Sequence, residues 1–212
     1  MSFYARVGKR ILDFVVAAVI LLCLSPILLL IAIAIKLTST GTVFFRQQRV
    51  GLNGSKFYIV KFRSMVVGAE NRGAGITSSG DARVTRIGRF LRKTKLDELP
   101  QLFNVLVGEM SLVGPRPELS KYVANYTPGQ LQSLSVRPGI TSMASIVFRN
   151  EEELLAAATD KERFYVETLL PEKNEFDRLY VQRVSFATDV KVAFRTLDAV
   201  IRNRNADKWD FE

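Results

Sequence analysis

From Phe14 to Ile35 the chain runs for 22 residues without a charged side chain, and this run limits the folds open to it more than any other feature. At about 1.5 Å per residue, a straight helix of that length crosses the hydrocarbon core of a bilayer. Near its middle stand Ser25 and Pro26. Proline has no amide hydrogen and its ring crowds the carbonyl four residues back, here Leu22, so a helix bends or breaks at this point. Three arrangements compete. A secretory signal has a shorter apolar region and a small-residue cleavage site, for which Ala32-Ile33-Ala34 is a weak match. A spanning helix puts its flanks on opposite sides. Yet Arg6, Lys9 and Arg10 precede the run, Lys36, Arg46, Arg49, Lys56, Lys61 and Arg63 follow it, and no acid falls between Lys36 and Ala69. Cationic flanks favour the cytoplasm. A helix that enters, breaks at Ser25-Pro26 and returns satisfies both flanks, so a re-entrant membrane anchor over residues 1–38 is expected, with Ser25 as a partner for the freed backbone.

Residues 39–203 are enough for one compact domain with a genuine core, and 204–212 read as a frayed tail. No internal repeat or low-complexity tract interrupts them. The single cysteine, Cys23, lies in the apolar run, which excludes an intramolecular disulfide and is compatible with a reducing cytosol. The absence of histidine excludes His-based triads, metal sites and general bases, so acid chemistry falls to Asp and Glu. The net charge of +9 is uneven: residues 1–150 hold 20 Lys or Arg against 7 acids, residues 151–212 hold 10 against 14. A basic part beside a membrane segment faces anions. Anionic headgroups and phosphorylated substrates fit better than nucleic acid, because the basic stretches lack interleaved aromatic platforms.

Val43 to Gln47 and Lys56 to Arg63 read as strands joined around Gly51 and the turn signal Asn53-Gly54. Phe57, Ile59, Lys61 and Arg63 share one face of the second strand, where the two cations make either a phosphate clamp or a solvated strand end. Gly68 to Gly80 is rich in Gly and Ser and reads as a mobile loop, lid or linker. Arg83, Arg86, Arg89 and Arg92 recur every third residue among apolar neighbours, as in a basic amphipathic helix lying on headgroups.

The stretch Leu96-Asp97-Glu98-Leu99-Pro100-Gln101 carries the chemistry. Leu99, Leu102, Phe103 and Leu106 recur at helical spacing, while Asp97, Gln101, Asn104 and Gly108 form a polar stripe. Pro100 belongs in a first turn, so a helix is expected to begin near Asp97, where free amides and the dipole favour a charged carboxylate. An ionised Asp97 can attack phosphorus, and Glu98, about 100° round the helix, assists from another direction. Acids are common at helix starts, so the pair needs support from its surroundings. Some comes from Gly114-Pro115-Arg116-Pro117, where prolines restrict Arg116 on both sides and hold its guanidinium for a bidentate anion contact. Arg137-Pro138-Gly139-Ile140-Thr141 follows. Beyond Glu151 the chain reads as helical, with a break at Pro171 and a last helix from about Thr188 to Arg202 whose Val190, Phe194, Leu197 and Ile201 form a stripe. Tyr180 and Asp189 read as scaffold.

Over nearly its whole length the chain resembles the bacterial sugar transferases, the monotopic polyprenyl-phosphate phosphoglycosyl transferases. The matching stretches are Ser25-Pro26, Arg49-Val50-Gly51, Lys61-Phe62-Arg63-Ser64-Met65, Arg83 to Gly88 leading through Arg92 into Leu96 to Gln101, Asn104-Val105-Leu106, Gly108 to Ser111, Gly114 to Pro117 and Arg137 to Thr141. The likeness is to the minimal form, with no bundle of membrane helices ahead of the re-entrant segment. It implies an α+β, mostly helical monotopic membrane protein with an N-terminal re-entrant helix-break-helix, interfacial amphipathic helices and a small β-hairpin.

The resemblance also implies a two-step, Mg²⁺-dependent transfer of a sugar phosphate from a UDP-sugar to a polyprenyl phosphate such as undecaprenyl phosphate. The expected setting is the cytoplasmic face of the bacterial inner membrane, at the first membrane step of glycoconjugate assembly. Carried over by position, Asp97 is the nucleophile and Glu98 its partner, the two carboxylates on which Mg²⁺ would sit, while Lys61, Arg63, Arg92, Arg116 and Arg137 contact phosphates. The implied partners are the UDP-sugar, the polyprenyl phosphate and anionic lipids, with no nucleic acid; a homodimer stays open. The chain departs from the family at Thr141-Ser142-Met143-Ala144-Ser145-Ile146 and Phe148-Arg149-Asn150, which leaves the sugar open. The competing reading is a catalytically silent membrane scaffold of a glycan assembly complex, which would not need Asp97, Glu98, Arg116 and Arg137 together.

Overall fold

A computed structural model describes residues 3–69 and 76–202. The expected frayed tail and the centre of the Gly68–Gly80 loop lie outside the described residues. After a short π-helical turn at Tyr4–Gly8, the apolar run forms one helix, α1, Lys9–Thr38, with Pro26 inside it. The expected helix-break-helix therefore does not appear as two helices. Pro26 cannot donate to the Leu22 carbonyl, and Ser25 Oγ donates to that same carbonyl at 2.8 Å, which repairs the orphaned acceptor.

Both ends of α1 are bound to the rest of the protein. Near the N-terminal end, buried Asp13 accepts from Ser111 Oγ at 2.7 Å and from the Leu112 amide at 3.1 Å. One turn earlier, Arg10 donates to the Val105 and Leu106 carbonyls, and Lys9 pairs with Asp189 at 2.6 Å. At the other end Arg63 donates to the carbonyls of Ser39, the C-cap residue, and Thr40 just beyond it, which fastens the exit from α1. Between these anchorages Leu22, Ile27, Leu29 and Leu30 are exposed.

The hairpin is β1, Phe44–Val50, and β2, Lys56–Phe62, antiparallel with Phe44 opposite Phe62 and Val50 opposite Lys56. Asn53 and Gly54 adopt positive φ at the tip, as the Asn-Gly signal requires. Phe57 and Ile59 face inward against Ala17 and Leu21 of α1 and against Leu102 and Val105 of α3, Gln101–Val107. Ile31 and Ile35 pack with Phe62 and with Leu91 of α2, Arg86–Thr94. Each such buried aliphatic or aromatic side chain contributes about 1.5–3 kcal/mol. At Gly88 in α2 a Cβ would collide with the Ser64 carbonyl, so the helix can approach the strand exit only with glycine there.

The expected four-arginine stripe does not form a single face. Thr85 caps α2 by accepting from the Gly88 amide, so Arg83 precedes the helix and binds Asp81. A three-residue spacing drifts by about 60° per step on a 3.6-residue helix. Arg86 and Arg89 therefore face outward and Arg92 turns inward.

The remainder comprises β3, Ser111–Val113, parallel to β4, Gly139–Thr141, with α4, Ser120–Val123, between them. Then come α5, Met143–Val147, α6, Glu151–Ala157, α7, Lys161–Phe164, α8, Leu170–Gln182, and α9, Phe186–Arg202. The expected break at Pro171 is absent: α7, a π-helical turn at Tyr165–Leu169 and α8 run on without a gap, and the wider π turn falls just ahead of the proline. Tyr180 and Asp189 are scaffold: the Tyr180 hydroxyl lies 2.7 Å from Asp189, which also accepts from Tyr4. The α9 stripe of Val190, Phe194, Leu197 and Ile201 is exposed, as are Phe103 and Val107 of α3.

Replacing Asp13 by Ala strands the Leu112 amide and the Ser111 hydroxyl in the interior and should cost about 2–4 kcal/mol. We expect thermal unfolding in detergent about 5–10 °C below wild type, with Asp13→Asn, which keeps an acceptor, losing less. An unchanged unfolding temperature in Asp13→Ala would show that the helix is not held there.

Candidate active site

The turn that carries Asp97 is built by a reversal. Lys95, at the C-cap of α2, takes a left-handed conformation with φ 58° and directs the chain into a single 3₁₀ turn, Leu96–Glu98, before Pro100 and α3. Asp97 thus stands on a 3₁₀ turn ahead of α3 and not in the first turn of an α-helix, and Pro100 occupies the N-cap. Gln101 and Asn104 of the polar stripe below it are buried. Asn104 Oδ1 accepts from the Val60 amide at 3.0 Å and Nδ2 donates to the Tyr58 carbonyl at 2.8 Å, which sews α3 to β2. That seam brings Lys61 to the acidic turn.

Lys61 Nζ donates to Glu98 Oε1 at 2.7 Å. Arg116 grips the same carboxylate from the loop after β3, Nη2 to Oε1 at 2.6 Å and Nη1 to Oε2 at 3.3 Å. Burial alone would raise the Glu98 carboxyl, but Arg116 and Lys61 outweigh it and hold it well below the usual carboxylate range. Glu98 in turn raises the Arg116 guanidinium. Burial lowers Lys61, with Glu98 opposing.

Asp97 has the opposite environment. It is 7% exposed, and among the described residues its carboxylate makes no hydrogen bond or ion pair. Burial first, then the Glu98 charge, push it up to about 6 against the pull of Lys61, Arg92 and Lys95. The helix-end effect expected from sequence, which favours the ionised form, is therefore overridden by desolvation. Two adjacent carboxylates driven apart in this way can take different parts in one reaction.

The pair lines a cleft of about 520 Å³, a volume suited to a small-molecule substrate, together with Lys61, Arg63, Arg92 and Arg116. Arg92 pairs with Glu152 of α6. Arg63, though in the cleft wall, spends its two Nη groups on the end of α1. Lys61 and Arg63 therefore do not form a joint clamp. Arg137 lies outside the cleft lining and donates to the Gly108 carbonyl at 2.8 Å, capping α3. Ser25 and Pro26 lie in α1, away from the cleft.

Among the described residues no cluster of three or more Asp, Glu, His or Cys side chains is poised for a metal. Magnesium is commonly held by one or two carboxylates together with substrate phosphates and water. The open Asp97 carboxylate fits that role, with the engaged Glu98 beside it. Sequence reasoning missed Glu118, Glu152 and Lys173, all in the cleft wall. Glu118 had a signal, since it directly follows Pro-Arg-Pro, whereas Glu152 looked like one of three helix-start acids.

The family model for bacterial sugar transferases matches residues 4–203. The chain belongs to that family. A UDP-glucose:undecaprenyl-phosphate glucose-1-phosphate transferase of Klebsiella pneumoniae is 40% identical over 204 residues, covering 94% of this chain and 41% of that protein. A UDP-N-acetylgalactosamine-undecaprenyl-phosphate N-acetylgalactosaminephosphotransferase of Aeromonas hydrophila is 40% identical over 196 residues, 91% of this chain and 43% of that protein. A glucose-1-phosphate transferase of Caulobacter vibrioides, also named for UDP-glucose and undecaprenyl phosphate, is 40% identical, with 93% and 71% covered. The chain thus spans about two fifths of the length of the first two relatives.

A carboxyl at about 6 in the folded chain, against an ordinary 3.8, binds its proton more tightly folded than unfolded. Ionised Asp97 therefore costs stability above pH 6, and that cost fades as pH falls toward 4. Asp97→Asn should accordingly be more stable than wild type by about 1–3 kcal/mol at pH 7.5, with that advantage cut to about a third near pH 4.5. Thermal unfolding at the two pH values decides this; a destabilised Asp97→Asn at pH 7.5 would contradict the environment described.

Proposed function

We propose that the chain is an enzyme that transfers a sugar 1-phosphate from a UDP-sugar to a polyprenyl phosphate, undecaprenyl phosphate being the acceptor in its relatives' names. The products are the polyprenyl-diphosphate sugar and UMP. The observation that carries this reading is the unpartnered, half-poised Asp97 beside a Glu98 locked by Lys61 and Arg116. In the first step an Asp97 carboxylate oxygen attacks the sugar-bearing phosphorus, the bond to the bridging oxygen breaks, and UMP leaves with that electron pair. In the second, a phosphate oxygen of the polyprenyl phosphate attacks the same phosphorus and releases Asp97. The covalent intermediate divides one displacement between two dianionic phosphates into two easier ones. Arg116 and Lys61 offset charge on the transferring group, and Arg92 exchanges Glu152 for a substrate phosphate.

Asp97, with Glu98 beside it, would hold Mg²⁺, which supplies charge neutralisation to the diphosphate when bound. A silent scaffold gives no reason to retain Asp97 in an environment that opposes its charge; perturbed acids in clefts mark chemistry.

The same reading makes the protein monotopic at the cytoplasmic face of the inner membrane, with residues 1–38 the anchor and 39–203 the catalytic domain. The support is that both ends of α1 bind one domain while Leu22 to Leu30 stay largely exposed, which leaves the middle of the helix free to meet lipid. The exposed apolar residues of α3 and α9 suit a face lying against lipid.

Given donor alone, wild type should gain a phosphosugar adduct on Asp97, visible by intact-protein mass spectrometry, and Asp97→Asn should release UMP at under a few per cent of the wild-type rate. In wild type, kcat/KM should rise tenfold per pH unit up to about 6 and then level, because the ionised carboxyl attacks. UDP-glucose and UDP-N-acetylgalactosamine head the donor panel. No adduct with any donor, together with an active Asp97→Asn, would overturn the covalent route.

For topology, Cys introduced at Phe3 or Thr38 in a Cys23→Ser background should be labelled only from the cytoplasmic side. Labelling of residue 3 from the periplasm would make α1 a spanning helix.

A further inference from the structure

Two residues beyond Arg116, Glu118 is buried in a network that the proposed reaction does not use. Its Oε1 accepts from the Tyr165 hydroxyl at 2.5 Å and lies 3.7 Å from Lys173 Nζ. Its Oε2 accepts from the Leu119 amide at 3.2 Å and from Arg49 Nη1 at 3.4 Å. The loop backbone is pinned as well: the Val50 amide donates to the Glu118 carbonyl at 2.9 Å and the Gly139 amide to the Pro115 carbonyl at 2.8 Å. Lys173, on α8 and 4% exposed, donates to Glu151 at 2.9 Å and to the Tyr165 hydroxyl at 3.2 Å. Its ammonium also lies 4.9 Å from the centre of the Tyr165 ring. Tyr165 relays between them, accepting from Lys173 and donating to Glu118.

Three acids act on Arg116: Glu98 most strongly, then Glu151 and Glu118. Lys173 holds the last two. Glu118 also holds Arg49, so Glu151 is the acid that depends on Lys173 for its cation, and both acids line the cleft together with Arg116. We infer that Lys173 is a positioning residue that occupies Glu118 and Glu151 and so leaves the Arg116 guanidinium directed at Glu98 and the incoming diphosphate. The inference rests on the reading of Arg116 as a phosphate ligand. It assigns a task to a residue on α8, far along the chain from the acidic turn. Without Lys173, Glu151 loses its cation and Glu118 keeps only Arg49, which leaves excess negative charge in the wall that meets the donor and a competing pull on Arg116.

The test is a double-mutant cycle read as UDP affinity by titration calorimetry in detergent, a measure that does not depend on turnover. Lys173→Met should weaken UDP binding about tenfold, while Lys173→Arg stays within twofold of wild type. In an Arg116→Lys background, already weakened, Lys173→Met should cost less than a further twofold, because the fork it positions is gone. If Lys173→Met does not fold, Lys173→Gln, which keeps a hydrogen-bond donor for Glu151 and Tyr165 but no charge, replaces it, with the same expected dependence on Arg116. Equal losses in the two backgrounds, or none in either, would reduce Lys173 to a structural ion pair and overturn the inference. Wild type that fails to bind UDP overturns both this inference and the proposed function. A cycle that behaves as expected in a protein that binds UDP but releases no UMP supports the positioning role and removes the transfer reaction.

Discussion

Lys61 and Arg116 close on the Glu98 carboxylate from opposite segments of the chain, and the rest of the site follows from that grip. One cation arrives on β2, the other on the loop after β3, and the acid sits on the turn between α2 and α3. Removing Glu98 would leave two part-buried cations facing each other without an anion, so the contact ties the segments together more tightly than an exposed ion pair could. It also leaves Asp97 without a partner of its own. With the nearest cations committed to Glu98, burial and the neighbouring negative charge set the Asp97 proton affinity, and it rises to about 6. Satisfying one acid is what leaves its neighbour with a raised proton affinity.

The long apolar helix is part of the same construction. Ala17 and Leu21 share a core with Phe57, Ile59, Leu102 and Val105, and Ile31 and Ile35 share another with Phe62 and Leu91. Those strands and helices carry Lys61 and the acidic turn. Arg63 and Arg10, which read from sequence as charges for phosphate or for membrane orientation, close helix ends instead: Arg63 that of α1, Arg10 that of α3. The packing therefore couples α1 to the elements that line the cleft. Under the proposed transfer a lipid-borne acceptor and a soluble nucleotide donor would meet at one phosphorus, and a docked anchor is a direct way to hold that level.

Much of the fold and of the site could be read from residue types and their spacing. The apolar run, the Asn53-Gly54 hairpin, the α2 amphipathicity, the acidic pair and Arg116 between its prolines are local patterns, set by backbone geometry within a few residues. Asp97, Glu98, Lys61 and Arg116 do converge. What failed to carry over was side-chain destination. Arg137 looked like Arg116, yet it reaches the Gly108 carbonyl. Arg92 and Arg83 looked alike on a three-residue repeat, yet one lines the cleft beside Glu152 and the other closes a turn on Asp81.

By itself, then, the sequence marked the long apolar helix, the hairpin and the helical character beyond Glu151, that one segment is fit for lipid, and which residue types are available for phosphoryl chemistry without histidine. Tertiary structure alone decided which cation meets which anion. That choice turns on distances of a few ångströms between residues tens of positions apart, where burial and a competing carbonyl or carboxylate outweigh any local preference. It also reversed the electrostatics of Asp97. A turn read locally favours the ionised acid, but the surrounding core removes the water that would stabilise that charge, and desolvation is a property of packing that no local pattern contains.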